Sequence, residues 1–137
     1  MSRRKAREIA LQSLFQMDYN ATGPEQALAT AFEEAGEVTE GTRTYAQEVV
    51  MGTRDHLTEV DKIISDVSIE WKLDRMAGVD RNIARIAVYE MNFGDEDLPP
   101  NVVINEAVEL AKLYGTDESS RFINGILGSL VKNRLKA

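Results

Sequence analysis

The stretch Asp80-Arg81-Asn82-Ile83-Ala84-Arg85-Ile86-Ala87-Val88-Tyr89-Glu90-Met91 decides the fold. On a helix of 3.6 residues per turn, Ile83, Ala84, Ile86, Ala87, Val88 and Met91 cover most of the circumference. A helix apolar nearly all round is buried on all sides, so other helices must surround it. Asp80 is read as its N-cap and Gly94 as its stop.

The segments on either side carry narrower stripes. Ser2 is a fair N-cap for a first helix. Along it Ala6, Ile9, Ala10, Ser13, Leu14 and Met17 form one stripe, and Leu11, Phe15 and Tyr19 form a second beside it. Two stripes fit either a central helix or one that offers a face to a partner. Thr22-Gly23-Pro24 starts a second helix, with Ala27, Leu28, Ala31, Phe32 and Ala35 inward and Gly36 as its stop. Thr42 is read as the cap of a long third helix with the stripe Ala46, Val49, Val50, Thr53, Leu57, Val60, Ile64 and Val67. Ser68 to Leu73 reads as a short helical turn carrying a core Trp71. After the loop of Asp95-Glu96-Asp97 and Pro99-Pro100, a sixth helix over 101–114 turns Ile104, Ala107, Val108 and Ala111 inward. Thr116 or Asp117 caps a last helix with the stripe Ile123, Ile126, Leu127 and Leu130. Gly125 and Gly128 are read there as sites of close helix packing.

No window alternates with period two for long, so no sheet is expected. The chain reads as one all-α domain over 1–137. About seven helices form two packed subdomains of about three helices, an N-terminal one over 1–68 and a C-terminal one over 79–137.

Composition narrows the function. Hydrophobic residues make up 43% of the 137, which is globular. There is no Cys and one His, His56, read as a surface or boundary residue. Thiolate metal sites, histidine-rich metal sites and Ser-His-Asp hydrolysis are therefore excluded, and no metal or cofactor is expected. Carboxylates are numerous, but no pair has the apolar setting that general acid–base work requires. No apolar run approaches the about 18 residues of a membrane span, and polar residues interrupt any signal-like start, so a cytoplasmic protein is expected.

The net charge is -7, unevenly spread. Residues 20–70 hold three basic and eleven acidic residues, and 71–117 five basic and nine acidic. The first 19 residues carry Arg3, Arg4, Lys5 and Arg7 against Glu8 and Asp18; the last twenty carry Arg121, Lys132, Arg134 and Lys136 against Glu118. If the first and last helices lie close together, the two ends make one basic patch on an acidic body.

Arg3, Arg4 and Lys5 sit in the first turn of a helix, where the macrodipole disfavours cations. A phosphate ligand would justify the placement, because cations and backbone N–H groups then converge on one anion. A solvated tail and an amphipathic membrane anchor are the other readings. Arg121-Phe122, early in the last helix, suits phosphate contact and base stacking on single-stranded RNA. A boundary Phe beside a snorkelling Arg accounts for the same pair.

Several runs resemble one family. Arg3-Arg4-Lys5-Ala6-Arg7-Glu8 followed by Ala10-Leu11-Gln12-Ser13-Leu14-Phe15 resembles the opening of the NusB family. Val79-Asp80-Arg81, Ile83, Arg85, Ala87, Tyr89 and Glu90 resemble its fifth helix. Ile104-Asn105-Glu106-Ala107-Val108-Glu109-Leu110-Ala111-Lys112 is similar to its sixth, and Phe122-Ile123-Asn124-Gly125-Ile126-Leu127 to its closing motif. The resemblance covers essentially the whole chain. It implies a non-catalytic transcription antitermination factor that binds boxA-type single-stranded RNA with the ribosomal protein NusE. That assembly acts on RNA polymerase, chiefly in ribosomal RNA operons. The implied RNA contacts are Arg3, Arg4 and Arg7, with Lys5 beside them, and Glu118, Arg121 and Phe122; the implied NusE contacts are Phe15, Tyr19 and Asp80. The basic arm is shorter than in some members of the family. Two other readings stand beside this one. The same helical domain forms the N-terminal part of a ribosomal RNA cytosine methyltransferase, of which this Cys-free chain would be a fragment. A protein-interaction module without RNA affinity is the other.

Overall fold

Ser2 caps the first helix as expected: its Oγ accepts from the Lys5 N–H at 3.1 Å. In the computed structural model the described residues are 2–68, 73–95 and 98–136, with backbone alone at 74 and 134–136. They form α1 (Arg3–Asn20), α2 (Pro24–Ala35), α3 (Glu40–Asp55), α4 (Leu57–Val67), a 3-10 turn at Leu73–Arg75, α5 (Gly78–Asn92), α6 (Pro100–Tyr114) and α7 (Ser119–Lys136). No strand occurs among the described residues. The all-α expectation holds, and Trp71 lies outside the described residues.

α5 is the hub. Every residue from Asn82 to Glu90 is buried, and α5 packs on α1, α3, α4, α6 and α7. α1 packs on α2 and α3 at one side, and α6 on α7 at the other. One apolar core runs through both groups, from Ile9 and Val49 to Val103 and Leu127.

Several local expectations need correction. The long third helix is two helices. His56 (φ -107, ψ 18) ends α3 and begins α4, and its ring stacks on Phe93 at 4.4 Å. The bend has a packing reason: α3 faces α1 and α5, whereas α4 faces α5 and α7, and one straight helix cannot do both. Thr39, not Thr42, caps α3, its Oγ1 accepting from the Thr42 N–H at 3.2 Å. The N-cap of α5 is Ala77, which leaves Asp80 inside the first turn. On α6, Val103 and Leu110 take the core positions expected of Ile104 and Val108, which are half-buried. A Cβ at Gly125 or Gly128 would meet nothing within 4 Å, so neither glycine serves close packing. Gly52 does. On α3 it faces the Tyr89 ring so closely that a Cβ there would overlap ring atoms.

Candidate RNA and partner interface

The basic arm is fixed to the fold. The Ser2 backbone N–H donates to Thr42 Oγ1 at 2.9 Å, tying the start of α1 to α3. The Arg3 guanidinium lies over the Tyr45 ring, 5.6 Å from its centroid. A tail frayed from Ser2 onward is inconsistent with these contacts. Arg4 is largely exposed, and its fork holds Glu106 of α6. Lys5 is half-buried.

Arg7 is placed differently from the surface contact expected of it. It is 3% exposed, and its Nε and Nη2 donate to Glu90 at 2.8 and 2.9 Å. The Tyr45 hydroxyl also donates to Glu90. A guanidinium enclosed this way is committed to a carboxylate inside the fold and does not face an external phosphate. Its role is to seat α1 on α5.

The helices that carry the two basic ends both touch α6. It meets α1 through Arg4–Glu106 and through the Tyr114 hydroxyl, which donates to Glu8 at 2.7 Å, and it packs along α7. Burial and that bond to Glu8 push Tyr114 up to about 12. The side chains of Arg134 and Lys136 lie outside the described residues.

At the start of α7 the Thr116 N–H donates to Ser119 Oγ at 2.9 Å, and the Thr116 and Ser119 hydroxyls lie 3.2 Å apart, so Thr116 helps close this turn. Glu118 and Arg121 are exposed, and Phe122 is half-buried with its ring against the core. Asp80 comes to the same place. A hollow of about 220 Å³ is lined by Ala77, Asp80, Thr116, Glu118, Ser119 and Phe122. Within it Asp80 Oδ1 is buried and accepts no hydrogen bond from the described residues.

The second stripe of α1 reaches the start of α5 at Gly78. Leu11 is buried within the protein's own core, whereas Tyr19 is 78% exposed. The Phe15 and Tyr19 rings stack at 5.5 Å and 12°. A Cβ on Gly78 would come 2.9 Å from the Phe15 ring, so the missing side chain lets Phe15 lie against the start of α5, two residues before Asp80. Of the residues expected to meet protein, Asp80 thus adjoins two expected to meet RNA, Glu118 and Phe122, while Phe15 lies against the start of the same helix and carries Tyr19 on its ring.

Behind this face lies a polar network absent from the sequence expectations. Arg81 donates to Asp18 at 2.7 and 2.9 Å and to the Leu73 and Met76 carbonyls, both at 3.1 Å. Arg85 donates to Asp61 at 2.8 and 3.0 Å, and fully buried Asn82 donates to Asp18 and the Gly78 carbonyl. Burial pushes the Asp18 carboxyl up, but the Arg81 hydrogen bond and the Arg85 and Arg81 charges outweigh it and hold the group below its ordinary value. Polar residues within an otherwise apolar helix, with an opposite charge on α1, are the signal that could have revealed it.

No helix among the described residues is long and apolar enough to cross a membrane. The NusB family profile matches residues 4–132. A transcription antitermination protein NusB of Desulforamulus reducens is 51% identical over 137 residues, covering all of this chain and 94% of that protein. A T. maritima NusB structure superposes with a TM-score of 0.86 at 35% identity, covering 96% of this chain and 92% of that one. A chain from the crystal structure of the antitermination factors NusB and NusE in complex with double-stranded RNA superposes at 0.87 with 28% identity, covering 96% of each. Profile, relatives and fold agree over nearly the whole length, and the chain belongs to the NusB family.

Proposed function

We propose that this protein is a cytoplasmic, non-catalytic antitermination factor that binds boxA-type single-stranded RNA jointly with the ribosomal protein NusE. Bound to RNA polymerase, the assembly allows read-through of terminators, chiefly in ribosomal RNA operons. The observation that carries this reading is the hollow shared by Asp80, Glu118 and Phe122, with Phe15 packed against Gly78 at the start of the same helix and Tyr19 stacked on Phe15. A protein on the Phe15–Tyr19 ridge would stand beside RNA at Phe122 and extend the RNA surface. The family neighbour solved with NusE and RNA supports the pairing of ligands. That neighbour carries duplex RNA; the single-stranded assignment rests on the aromatic Phe122, which suits stacking of an unpaired base.

The test is a titration of labelled boxA RNA, scrambled RNA and a duplex of the same sequence, each with and without NusE. Tighter binding of single-stranded boxA in the presence of NusE is expected. Coupling must be equal in both directions, so the RNA must tighten NusE binding by the same factor. Absence of RNA binding in every arm would leave a protein-interaction module, and tighter binding of the duplex would reverse the strand assignment.

A further inference from the structure

Arg4 already holds an anion. Its side chain is 57% exposed, as a phosphate contact should be, yet Nε donates to Glu106 Oε2 and Nη2 to Glu106 Oε1, both at 3.1 Å. This two-pronged grip on two oxygens is the geometry an arginine uses on a backbone phosphate. The Arg4 hydrogen bond holds the Glu106 carboxyl below its ordinary value, so at neutral pH the group is an anion.

Among the described residues Glu106 has one cation near it besides Arg4. That cation is Arg7, whose Nη1 lies 3.9 Å away and whose fork is held inside the fold by Glu90. Arg4 in turn stands among further acidic groups: Glu109 and Glu8 also act on it through charge. An RNA phosphate reaching Arg4 must displace Glu106 and leave it without its close cation, or settle beside its negative charge. Both routes weaken binding.

We infer that Glu106 is an internal stand-in for an RNA phosphate, occupying the Arg4 fork in the free protein and lowering RNA affinity until the backbone of a bound RNA takes its place. The inference rests on the RNA-binding reading above. It gives the acidic body a function at the RNA face: contacts made elsewhere along the RNA must first be strong enough to drive the exchange. Weakly held RNA does not gain the Arg4 contact.

The test measures binding of boxA RNA by fluorescence anisotropy at several salt concentrations. It compares wild type, Glu106→Gln, Arg4→Gln and the double variant, each checked for folding by circular dichroism. Glu106→Gln keeps an acceptor near Arg4 and removes the charge. It is expected to tighten RNA binding about two- to fivefold at low salt, the range set by a partly exposed ion pair. The salt slope should steepen by up to about 0.7, since no freed carboxylate recruits a cation when Arg4 changes partner. In the Arg4→Gln background the same change should give little gain, because there is no fork left to occupy. Unchanged or weaker binding by Glu106→Gln overturns the inference. An equal gain with and without Arg4 also overturns it, by reducing Glu106 to a general negative charge. Failure of the wild type to bind RNA at all would instead remove the functional reading beneath it.

Discussion

Arg7 and Glu90 stand 83 positions apart in sequence and meet at 2.8 and 2.9 Å, with side chains only 4% and 2% exposed. This pair fastens the helix bearing the basic arm to the central helix. Removing one partner leaves the other charge buried alone, which costs about 3–5 kcal/mol. Arg7→Ala and Glu90→Ala should each lower the urea midpoint accordingly. Arg7→Met with Glu90→Leu and Tyr45→Phe removes the buried pair and the hydroxyl bonded to it together and should cost less than either single change. Full stability in Arg7→Ala would show that the pair does not fasten the helices.

Acid should loosen the network around Asp18. Its carboxyl lies below the ordinary value of 3.8 in the folded protein. A group depressed in this way contributes stability that is fully present above its unfolded value and is lost as pH falls through the folded value. The stability gap between wild type and Asp18→Asn should therefore be widest near about pH 6 and narrow below about pH 4. Glu106, also depressed, should behave in the same direction. A gap that does not change with pH would contradict the assignment.

Glycine positions give a paired test. Gly52→Ala would push a methyl into the Tyr89 ring, which is 6% exposed and has little room to move, so a loss of about 1–3 kcal/mol is expected. Gly125→Ala adds its methyl to open space on α7 and should be neutral or stabilising by up to about 1 kcal/mol. Thermal melts of the two variants decide this, and equal losses would refute the packing role of Gly52.

Tyr19 should behave as a partner contact without a folding role. At 78% exposure, its replacement by Ala should change stability by less than about 0.5 kcal/mol. The variant should bind NusE more weakly, bind RNA alone almost as wild type does, and show a smaller enhancement of RNA binding by NusE. Wild-type NusE affinity in Tyr19→Ala would move the interface elsewhere.

The fold was legible because apolar periodicity reports directly on burial. Ile83 through Met91 marked the central helix, and Ser2 and Gly36 marked helix ends correctly. What periodicity cannot show is direction in space. His56 sits within one continuous stripe, yet the chain bends there because α4 has a different neighbour from α3. The fate of charges was less legible for the same reason. Arg4 and Arg7 look alike in sequence and lie three residues apart on one side of the helix, but the elements packed around them differ, so Arg4 reaches solvent and Glu106 while Arg7 is enclosed with Glu90. Asn82, Arg85 and Glu90 are polar yet buried, a placement that depends on partners supplied by α1 and α4.

The distance along the chain between Arg7 and Glu90 also bears on biosynthesis. The ribosome delivers α1 first, but the carboxylate that neutralises Arg7 arrives with α5. Once α3 has emerged, translation at about 5–20 residues per second needs a few more seconds to deliver Glu90. During that interval a buried Arg7 would be a lone cation, so α1 cannot take its final seat on a half-made molecule. A chain truncated before α5 keeps every residue of the basic arm and lacks the partner that seats it.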